Sequence, residues 1–381
     1  MGYYMMKSSR ILIKTNRSLT GHRLPGAARA AFTSAAAAVT AAVLALGTLL
    51  APQAALHAQA ASAAPTAQNP VVIVLDPGHG GPLENSDNQG AIYAPYREKD
   101  LTLQLAKAIQ AELSVYDNVQ CFLTREDDSS LTLSERASIA AAHHADMLIC
   151  LHFNASNRHD YYGSEVWASA FGHNYAVGAS FGETELAMLS GLGLYSKGVK
   201  TRIGQHGDYY GIIRHSDAAG IPCVLIEHCY LDSEEDRSLL SGKDFLSQLA
   251  HADAVSIAAW FHLKSSSYGI DFGQYVRPET ADAPAGGIPQ DTTAPDVCTL
   301  EQIGRSGSRV SFRLTAADTD SSYPLLYYSY TVDGKTSRLQ TWPKGASSVT
   351  FTIQAPKGTQ VYGTAHNSYE LSTDSSVLTV K

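Results

Sequence analysis

Between residues 71 and about 263, the chain alternates short, continuous apolar runs with amphipathic stretches of helical period. Continuous apolar runs are typical of strands that are buried on both faces, as in a parallel sheet covered by helices. The alternation predicts an α/β fold, with a mostly parallel, twisted sheet and helices on both of its faces. The predicted strands are residues 71–75, 119–123, 147–151, 165–169 and 223–226.

Helices are predicted between the strands, where apolar residues recur on one face. Residues 132–143 form one such stretch, with Leu133, Ala137 and Ala140 facing inward. A long final helix is predicted from about residue 234 to residue 262. The clearest helical period is set by Leu101, Leu105, Ile109 and Leu113.

The chain changes character after residue 263. Residues 264–293 contain a serine run and a segment rich in Pro, Gly and Ala, which is typical of a linker. From residue 294 to residue 381, short stretches alternate apolar and polar residues, and Asp333-Gly334 marks a turn between two of them. This pattern predicts a small, all-β, immunoglobulin-like sandwich.

Residues 1–60 have the composition of a targeting segment. Every charged residue before Asp76 is basic, and an apolar run at residues 30–51 is followed by small residues that suit cleavage. We therefore expect a signal peptide over residues 1–60 and an exported protein. The apolar run is also long enough, at about 20 residues, for an uncleaved signal anchor, which would be the one point of membrane contact.

The exported body is acidic. The formal net charge is −8 although the targeting segment contributes only basic charges. Because binding to nucleic-acid phosphates needs a basic surface, no nucleic-acid partner is expected.

Three side chains with metal-binding chemistry lie at the ends of predicted elements. His79 and His152 each follow a predicted strand, in segments 76–81 and 150–156. Since parallel strands end at one edge of a sheet, the two imidazoles can converge there. Glu98 opens the first predicted helix, and two histidines with one carboxylate suit catalytic zinc with an open position for water. Each residue also has an ordinary explanation: an exposed loop histidine, or a helix-start carboxylate favoured by the helix dipole.

Glu227 directly follows the last predicted strand, residues 223–226. A carboxylate at the end of a core strand must be paired, bound to a metal or raised in pKa. Beside a metal-bound water it can accept a proton and later deliver it to a leaving amine, so Glu227 is the candidate catalytic base. A salt bridge to a neighbouring arginine is the alternative. His228 is assigned a structural role, because successive residues of a strand point to opposite faces.

These residues stand in a series of ordered motifs with compatible spacing. Residues 71 to about 263 resemble the zinc-dependent N-acetylmuramoyl-L-alanine amidases of the amidase-3 type. The resemblance is carried by Val74-Leu75-Asp76-Pro77-Gly78-His79-Gly80-Gly81, Glu98-Lys99-Asp100, Leu133-Ser134-Glu135-Arg136-Ala137, Ala145-Asp146, His152-Phe153-Asn154-Ala155, Gly163-Ser164-Glu165-Val166, Lys197-Gly198-Val199-Lys200 and Val224-Leu225-Ile226-Glu227.

The resemblance implies that His79, Glu98 and His152 bind Zn²⁺ and that Glu227 is the catalytic glutamate. It also implies the substrate, which is bacterial peptidoglycan cut at the amide between the lactyl group of N-acetylmuramic acid and the first L-alanine of the stem peptide. A zinc-activated water would attack that carbonyl, with Asn154 contacting the substrate or supporting the site. Such an enzyme is expected to be secreted or associated with the cell wall.

Two other functions remain open. A zinc carboxypeptidase or endopeptidase would keep the same ligands and cut a peptide bond instead. A wall-binding protein without activity would lack a ligand or the glutamate, and all four residues are present. The tyrosine pairs at 161–162 and 209–210 suit contacts with sugars or packing beneath a loop. For the C-terminal sandwich we expect a spacer or a wall-binding module.

Overall fold

The computed structural model describes residues 65–83, 86–319 and 321–381. The predicted signal segment, residues 1–60, lies outside the described residues. None of the helices within these ranges has the length and apolar character needed to cross a bilayer.

A six-stranded sheet forms the centre of the first domain, in the order β2-β1-β3-β6-β4-β5. All neighbouring strands are parallel except β6 and β4, so the prediction of a mostly parallel sheet is confirmed. Strand β5 was not predicted because it is polar and lacks an apolar run. The strands are β1 Val71–Pro77, β2 Val119–Leu123, β3 Met147–Asn154, β4 Ser164–Ala168, β5 Ser196–Lys200 and β6 Cys223–Tyr230.

The described part of this domain contains six helices, which cover both faces of the sheet, as predicted. The first, third, fifth and sixth pack on one face, and the second and fourth pack on the other. The second helix begins within one residue of its predicted start, and Thr132 and Glu135 form a reciprocal capping box at its N-terminus. The helices are α1 Glu98–Leu113, α2 Leu133–Ala142, α3 Gly172–Gly191, α4 Gly211–Ala218, α5 Glu234–Leu240 and α6 Phe245–Trp260.

The prediction of one long final helix was wrong, since the chain forms α5 and α6 with a break between them. Helix α5 ends with Ser241 at its C-cap, and the N–H of Gly242 bonds to the carbonyl of Leu239 at 2.9 Å. A tight turn then starts α6, with the N–H of Phe245 bonded to the Gly242 carbonyl at 3.1 Å. Glycine has a low helix propensity, which explains why the break falls there.

The segment predicted as a linker is bound along the first domain. The N–H of Ile288 donates to the carbonyl of Ala170 at 2.8 Å, and the Arg277 side chain donates to the carbonyl of Trp260 at 2.5 Å. The described part of this domain also contains three short antiparallel hairpins, each made of two two-residue strands. They are Ile92–Tyr93 with Tyr96–Arg97, Ile203–Gly204 with Gly207–Asp208, and Lys264–Ser265 with Ile270–Asp271.

The C-terminal region is all-β, as predicted. Two antiparallel sheets enclose an apolar core that includes Phe312, Phe351 and Val361, while an immunoglobulin-like topology stays a prediction. The turn at Asp333-Gly334 is confirmed, with φ of 45° and 78°. One sheet contains β7 Val297–Ser306, β8 Arg309–Ala317 and β10 Ser348–Gln354; the other contains β9 Leu325–Val332, β11 Gln360–Asn367 and β12 Ser372–Asp374, with short strands Lys335–Thr336, Gln340–Thr341 and Leu378–Thr379.

Candidate metal centre

Strand β1 ends in a glycine-rich turn that carries His79. The chain leaves the sheet at Pro77, and Gly78 approaches His152 so closely that a β-carbon there would lie 2.4 Å from its Cε1. His79 has a φ of 64°, a left-handed conformation that costs a non-glycine residue roughly 1–3 kcal/mol. The Arg136 guanidinium donates to the His79 carbonyl at 2.6 Å and so holds this conformation.

Glu98 is the first residue of α1 and is buried. Its Oε1 lies 2.8 Å from His152 Nδ1 and accepts the N–H of Phe153 at 3.1 Å. Its Oε2 lies 3.1 Å from His79 Nε2 and accepts the N–H of Ala91 at 2.7 Å. Burial opposes ionisation, but hydrogen bonds and electrostatic attraction from His152 and His79 outweigh it and lower the pKa of Glu98 well below its ordinary value.

His79, Glu98 and His152 form one cluster at the carboxyl edge of the sheet. Each residue offers one ligand atom, and these atoms lie within 4.8 Å of one another. The imidazole rings meet edge to face with centroids 5.0 Å apart. The histidine side chains are 27% and 17% exposed and that of Glu98 is 5% exposed, so the cluster is open on the histidine side. Such a donor set could hold a metal ion.

The cluster lies in an open cleft of about 450 Å³, which Glu227 also lines. Most of the other cleft residues are apolar, and few polar groups are placed among them. This combination is usual for sites that bind small or extended ligands. The apolar and aromatic lining includes Ala91, Leu133, Phe153, Tyr210, Ile212 and Leu225.

Glu227 stands in β6 beside His152 of β3 and opposite Glu165 of β4. Its Oε2 is buried without a hydrogen-bond partner among the described residues, and no arginine there pairs with it. Burial, and then the charges of Glu98 and Glu165, raise the pKa of Glu227 well above its ordinary value, while Lys197 acts in the opposite direction. A carboxyl group in this setting can take up and hold a proton, as general acid–base catalysis requires.

A buried charge cluster lies next to Glu227, and the sequence assigned no role to its members. Glu165 Oε2 lies 2.5 Å from Lys200 Nζ and 3.1 Å from Lys197 Nζ, and its Oε1 accepts from Asn154 Nδ2 at 3.1 Å. Burial opposes ionisation of Glu165, but the two lysine charges outweigh it and lower its pKa to about 2. The available signal was a carboxylate inside an apolar strand, followed by two lysines in the next strand.

His228 lies on the other face of β6 and is fully buried. Its Nδ1 lies 3.0 Å from the carbonyl of His152, and its Nε2 lies 3.1 Å from Asp253 Oδ2 in α6. His228 therefore connects the backbone of β3 to a helix behind the sheet, which is a structural position outside the cleft.

The two tyrosine pairs lie in different surroundings. Tyr210 lines the cleft and packs against Trp167 with ring centroids 4.9 Å apart, while Tyr209 is half-exposed beneath the guanidinium of Arg202. The pair at 161–162 packs against Tyr327 of the C-terminal region. Packing between the two domains thus accounts for the pair at 161–162.

Residues 73–259 match the family described as N-acetylmuramoyl-L-alanine amidase. This match spans nearly the whole α/β domain, which is named the amidase domain for that similarity. The endolysin of Bacillus phage SPP1 is 27% identical over 218 residues, which cover 57% of this chain and 73% of the endolysin. The N-acetylmuramoyl-L-alanine amidase AmiC of Escherichia coli O6:H1 is 26% identical over 230 residues, or 50% of this chain and 53% of AmiC. The chain therefore spans about half the length of that relative.

A similar solved structure is the catalytic domain of CwlV, an N-acetylmuramoyl-L-alanine amidase from Bacillus (Paenibacillus) polymyxa var. colistinus. It is 25% identical and covers 51% of this chain and 99% of that domain, with a TM-score of 0.43. In the amidase domain of the present chain, the family match includes His79, Glu98, His152 and Glu227 and ends before the C-terminal all-β region.

Proposed function

We propose that this protein is a zinc-dependent N-acetylmuramoyl-L-alanine amidase. It hydrolyses the amide between N-acetylmuramic acid and the first L-alanine of the stem peptide in bacterial peptidoglycan. The observation that carries the proposal is the convergence of His79, Glu98 and His152 in the cleft that Glu227 lines. The similarity of the α/β domain to the amidase family supports the reaction and the substrate class.

The residues of the cluster fit a zinc ion. Two imidazole nitrogens and one carboxylate oxygen are a ligand set of catalytic zinc sites, which keep one position open. Gly90 contributes to the fit, because any β-carbon there would lie 2.3 Å from Glu98 Oε2 and would occupy the space at the ligands. When bound, zinc acts as a Lewis acid that polarises the scissile carbonyl and makes water nucleophilic at neutral pH.

Glu227 supplies the proton transfers in this mechanism. Its carboxylate accepts a proton from the attacking water and delivers it to the nitrogen of the leaving alanine. The Oε2 atom is free for this role because no described residue bonds to it. The side chains of Leu133, Tyr210 and Ile212 border the cleft beside the reacting groups.

The remaining parts of the proposal concern organisation and location. We assign residues 71–263 to the catalytic domain, residues 264–293 to a connecting segment and residues 294–381 to an accessory β-sandwich. The protein acts on the wall after export, as a secreted or wall-associated enzyme, and contacts a membrane only through residues 1–60. Nucleic acid is not a partner, in keeping with the net charge of −8.

Digestion of purified peptidoglycan with the full chain tests this function. With zinc present we expect intact stem peptides with a free N-terminal alanine, identified by mass spectrometry, and none after treatment with a chelator. The Glu227→Gln variant should bind zinc and lose activity by roughly 10²- to 10⁴-fold, because the proton acceptor is removed. The exposed residue Glu126 provides the control, since Glu126→Gln should digest the wall like the wild type.

Other products would change the assignment. Shortened peptides that remain attached to muramic acid would identify a zinc peptidase. If the zinc-loaded wild type releases nothing, the amidase proposal is wrong and a wall-binding protein is favoured.

A further inference from the structure

One turn of the C-terminal sandwich enters the amidase domain beside the buried charge cluster. Residues 368–371 connect β11 to β12, and the hydroxyl of Tyr369 donates to the carbonyl of Thr201 at 2.9 Å. The next residue, Glu370, places its Oε1 2.6 Å from Lys197 Nζ and accepts the hydroxyl of Tyr230 at 2.5 Å. A carboxylate from the accessory region therefore reaches the strands that carry the active site.

Lys197 contacts Glu165 and the Tyr230 hydroxyl within the amidase domain. Glu370 is the nearer of the two carboxylate partners of Lys197. The Lys197 side chain is fully buried, and a buried ammonium group requires charged or hydrogen-bonding partners. Glu165 is already paired with Lys200 at 2.5 Å, so the amidase domain offers one carboxylate to two buried lysines. Within the described ranges, Glu370 is the second carboxylate that forms an ion pair with one of these lysines. With it, two carboxylates balance two lysine charges.

The cluster continues directly to the proposed catalytic residue. Glu165 stands opposite Glu227 in the register of β4 and β6. The same glutamate accepts from Asn154 at 3.1 Å, and Asn154 follows His152 by two residues on β3. The position of Lys197 therefore affects Glu165, and the position of Glu165 affects the surroundings of Glu227.

The turn that carries Glu370 is held in one conformation. Glu370 has a φ of 66°, in the left-handed region that residues with a β-carbon rarely occupy. Asn367 stabilises this conformation: its side-chain oxygen accepts the N–H of Tyr369 at 3.1 Å and of Leu371 at 3.0 Å, and its carbonyl accepts the N–H of Glu370 at 3.0 Å. The carboxylate is thus presented by a turn that local hydrogen bonds define.

We propose that Glu370 is a positioning residue for the amidase site, acting through Lys197 on Glu165 beside Glu227. The C-terminal sandwich is then a fixed part of the catalytic unit and differs from a separable spacer or wall-binding module. This inference rests on the proposed amidase function.

Kinetics of the full chain on a soluble muramoyl peptide test the inference. Glu370→Gln should lower kcat by roughly tenfold to a hundredfold, as loss of supporting contacts around an active site does, with KM and zinc content unchanged. The matched control is Arg338→Gln. It removes an exposed ion pair between the same two domains, from Arg338 to Glu234, and should leave kcat within about twofold of the wild type.

A double-mutant cycle with Lys197→Met separates positioning from general destabilisation. Because Glu370 acts through Lys197, adding Glu370→Gln to Lys197→Met should change kcat by less than about twofold. The double variant removes one positive and one negative charge, so the pair of Glu165 and Lys200 remains balanced. It can therefore be measured even if Glu370→Gln alone does not fold. Its kcat should be as low as that of Lys197→Met.

Several results would overturn the inference. These are a wild-type kcat in folded Glu370→Gln, a wild-type kcat in the double variant, or an undiminished effect of Glu370→Gln in the Lys197→Met background. A wild-type protein that releases no alanine-terminated peptide contradicts the proposed function instead, so the two failures are distinguishable.

Discussion

At the scale of single residues, Gly90 lies so close to the His79 and Glu98 side chains that a larger residue does not fit there. Gly90 has a φ of 69°, and a β-carbon there would lie 2.3 Å from Glu98 Oε2 and 2.6 Å from His79 Cδ2. Both neighbours are proposed ligands, and Glu98 is held by backbone N–H groups that restrict its movement. The close approach at Gly90 therefore governs the geometry of the cluster.

At the proposed zinc site, replacing Gly90 with alanine should weaken zinc binding about tenfold to a hundredfold, since the new methyl group displaces two of the proposed ligands. Competition with a chromophoric chelator measures this affinity. Gly220→Ala is the matched control: Gly220 has a φ of 75°, but nothing lies within 4 Å of an added β-carbon. Equal zinc affinities in the two variants would contradict the prediction.

At the scale of elements, helix α3 shows how packing overrides propensity. Its glycine content is unfavourable for a helix, and no helix was predicted here from the sequence; the glycines are Gly172, Gly178, Gly182 and Gly191. Two of these glycines face the sheet, where a β-carbon would lie 2.9 Å from Ala168 at position 178 and 2.8 Å from Val199 at position 182. The helix forms because glycine lets it approach the strands closely and bury their side chains.

Gly182→Ala should therefore destabilise the protein by about 1–3 kcal/mol, because the methyl group collides with β-branched side chains that have little freedom. The opposite sign is expected for Gly191→Ala at the end of the same helix, where nothing lies within 4 Å and alanine gains about 0.5–1 kcal/mol. Chemical denaturation of both variants measures the difference. A stabilising Gly182→Ala would show that α3 can move away from the sheet.

At the scale of the whole molecule, the amidase domain and the C-terminal sandwich share a buried aromatic interface. Tyr327 of β9 is fully buried, with its ring 5.0 Å from that of Tyr162 and 5.4 Å from that of Tyr195. Its hydroxyl donates to the carbonyl of Tyr162, and the hydroxyl of Tyr195 donates to the carbonyl of Leu326 at 3.1 Å. Apolar burial and satisfied hydrogen bonds at one interface favour unfolding of the two parts together.

We expect the wild-type chain to unfold in a single calorimetric transition and Tyr327→Ala to separate it into two. The substitution removes the ring at the centre of the interface, and loss of a large buried aromatic side chain costs about 3–5 kcal/mol. Tyr268→Ala, at a side chain that is 50% exposed, should preserve the single transition. Two transitions in the wild type would mean that the interface does not couple the domains.

Local sequence patterns were sufficient for much of the fold. The apolar runs predicted five of the six strands of the central sheet, and apolar periodicity predicted α2, because both signals depend on neighbours along the chain. The prediction failed where local chemistry was weak. The polar strand β5 and the glycine-rich α3 were missed, and a single final helix was predicted across the break at Gly242.

The candidate site divides in the same way. The sequence by itself predicted His79, Glu98, His152 and Glu227 at element ends, where the alternation of strands and helices brings side chains to one edge of the sheet. His79 and Glu98 lie as predicted, whereas β3 and β6 continue through His152 and Glu227. Only the tertiary structure decided that Glu370 pairs with Lys197, since this contact joins different domains and depends on how they dock. Long-range contacts of this kind leave no periodic trace in the chain, because their energy comes from burial and charge pairing between distant segments.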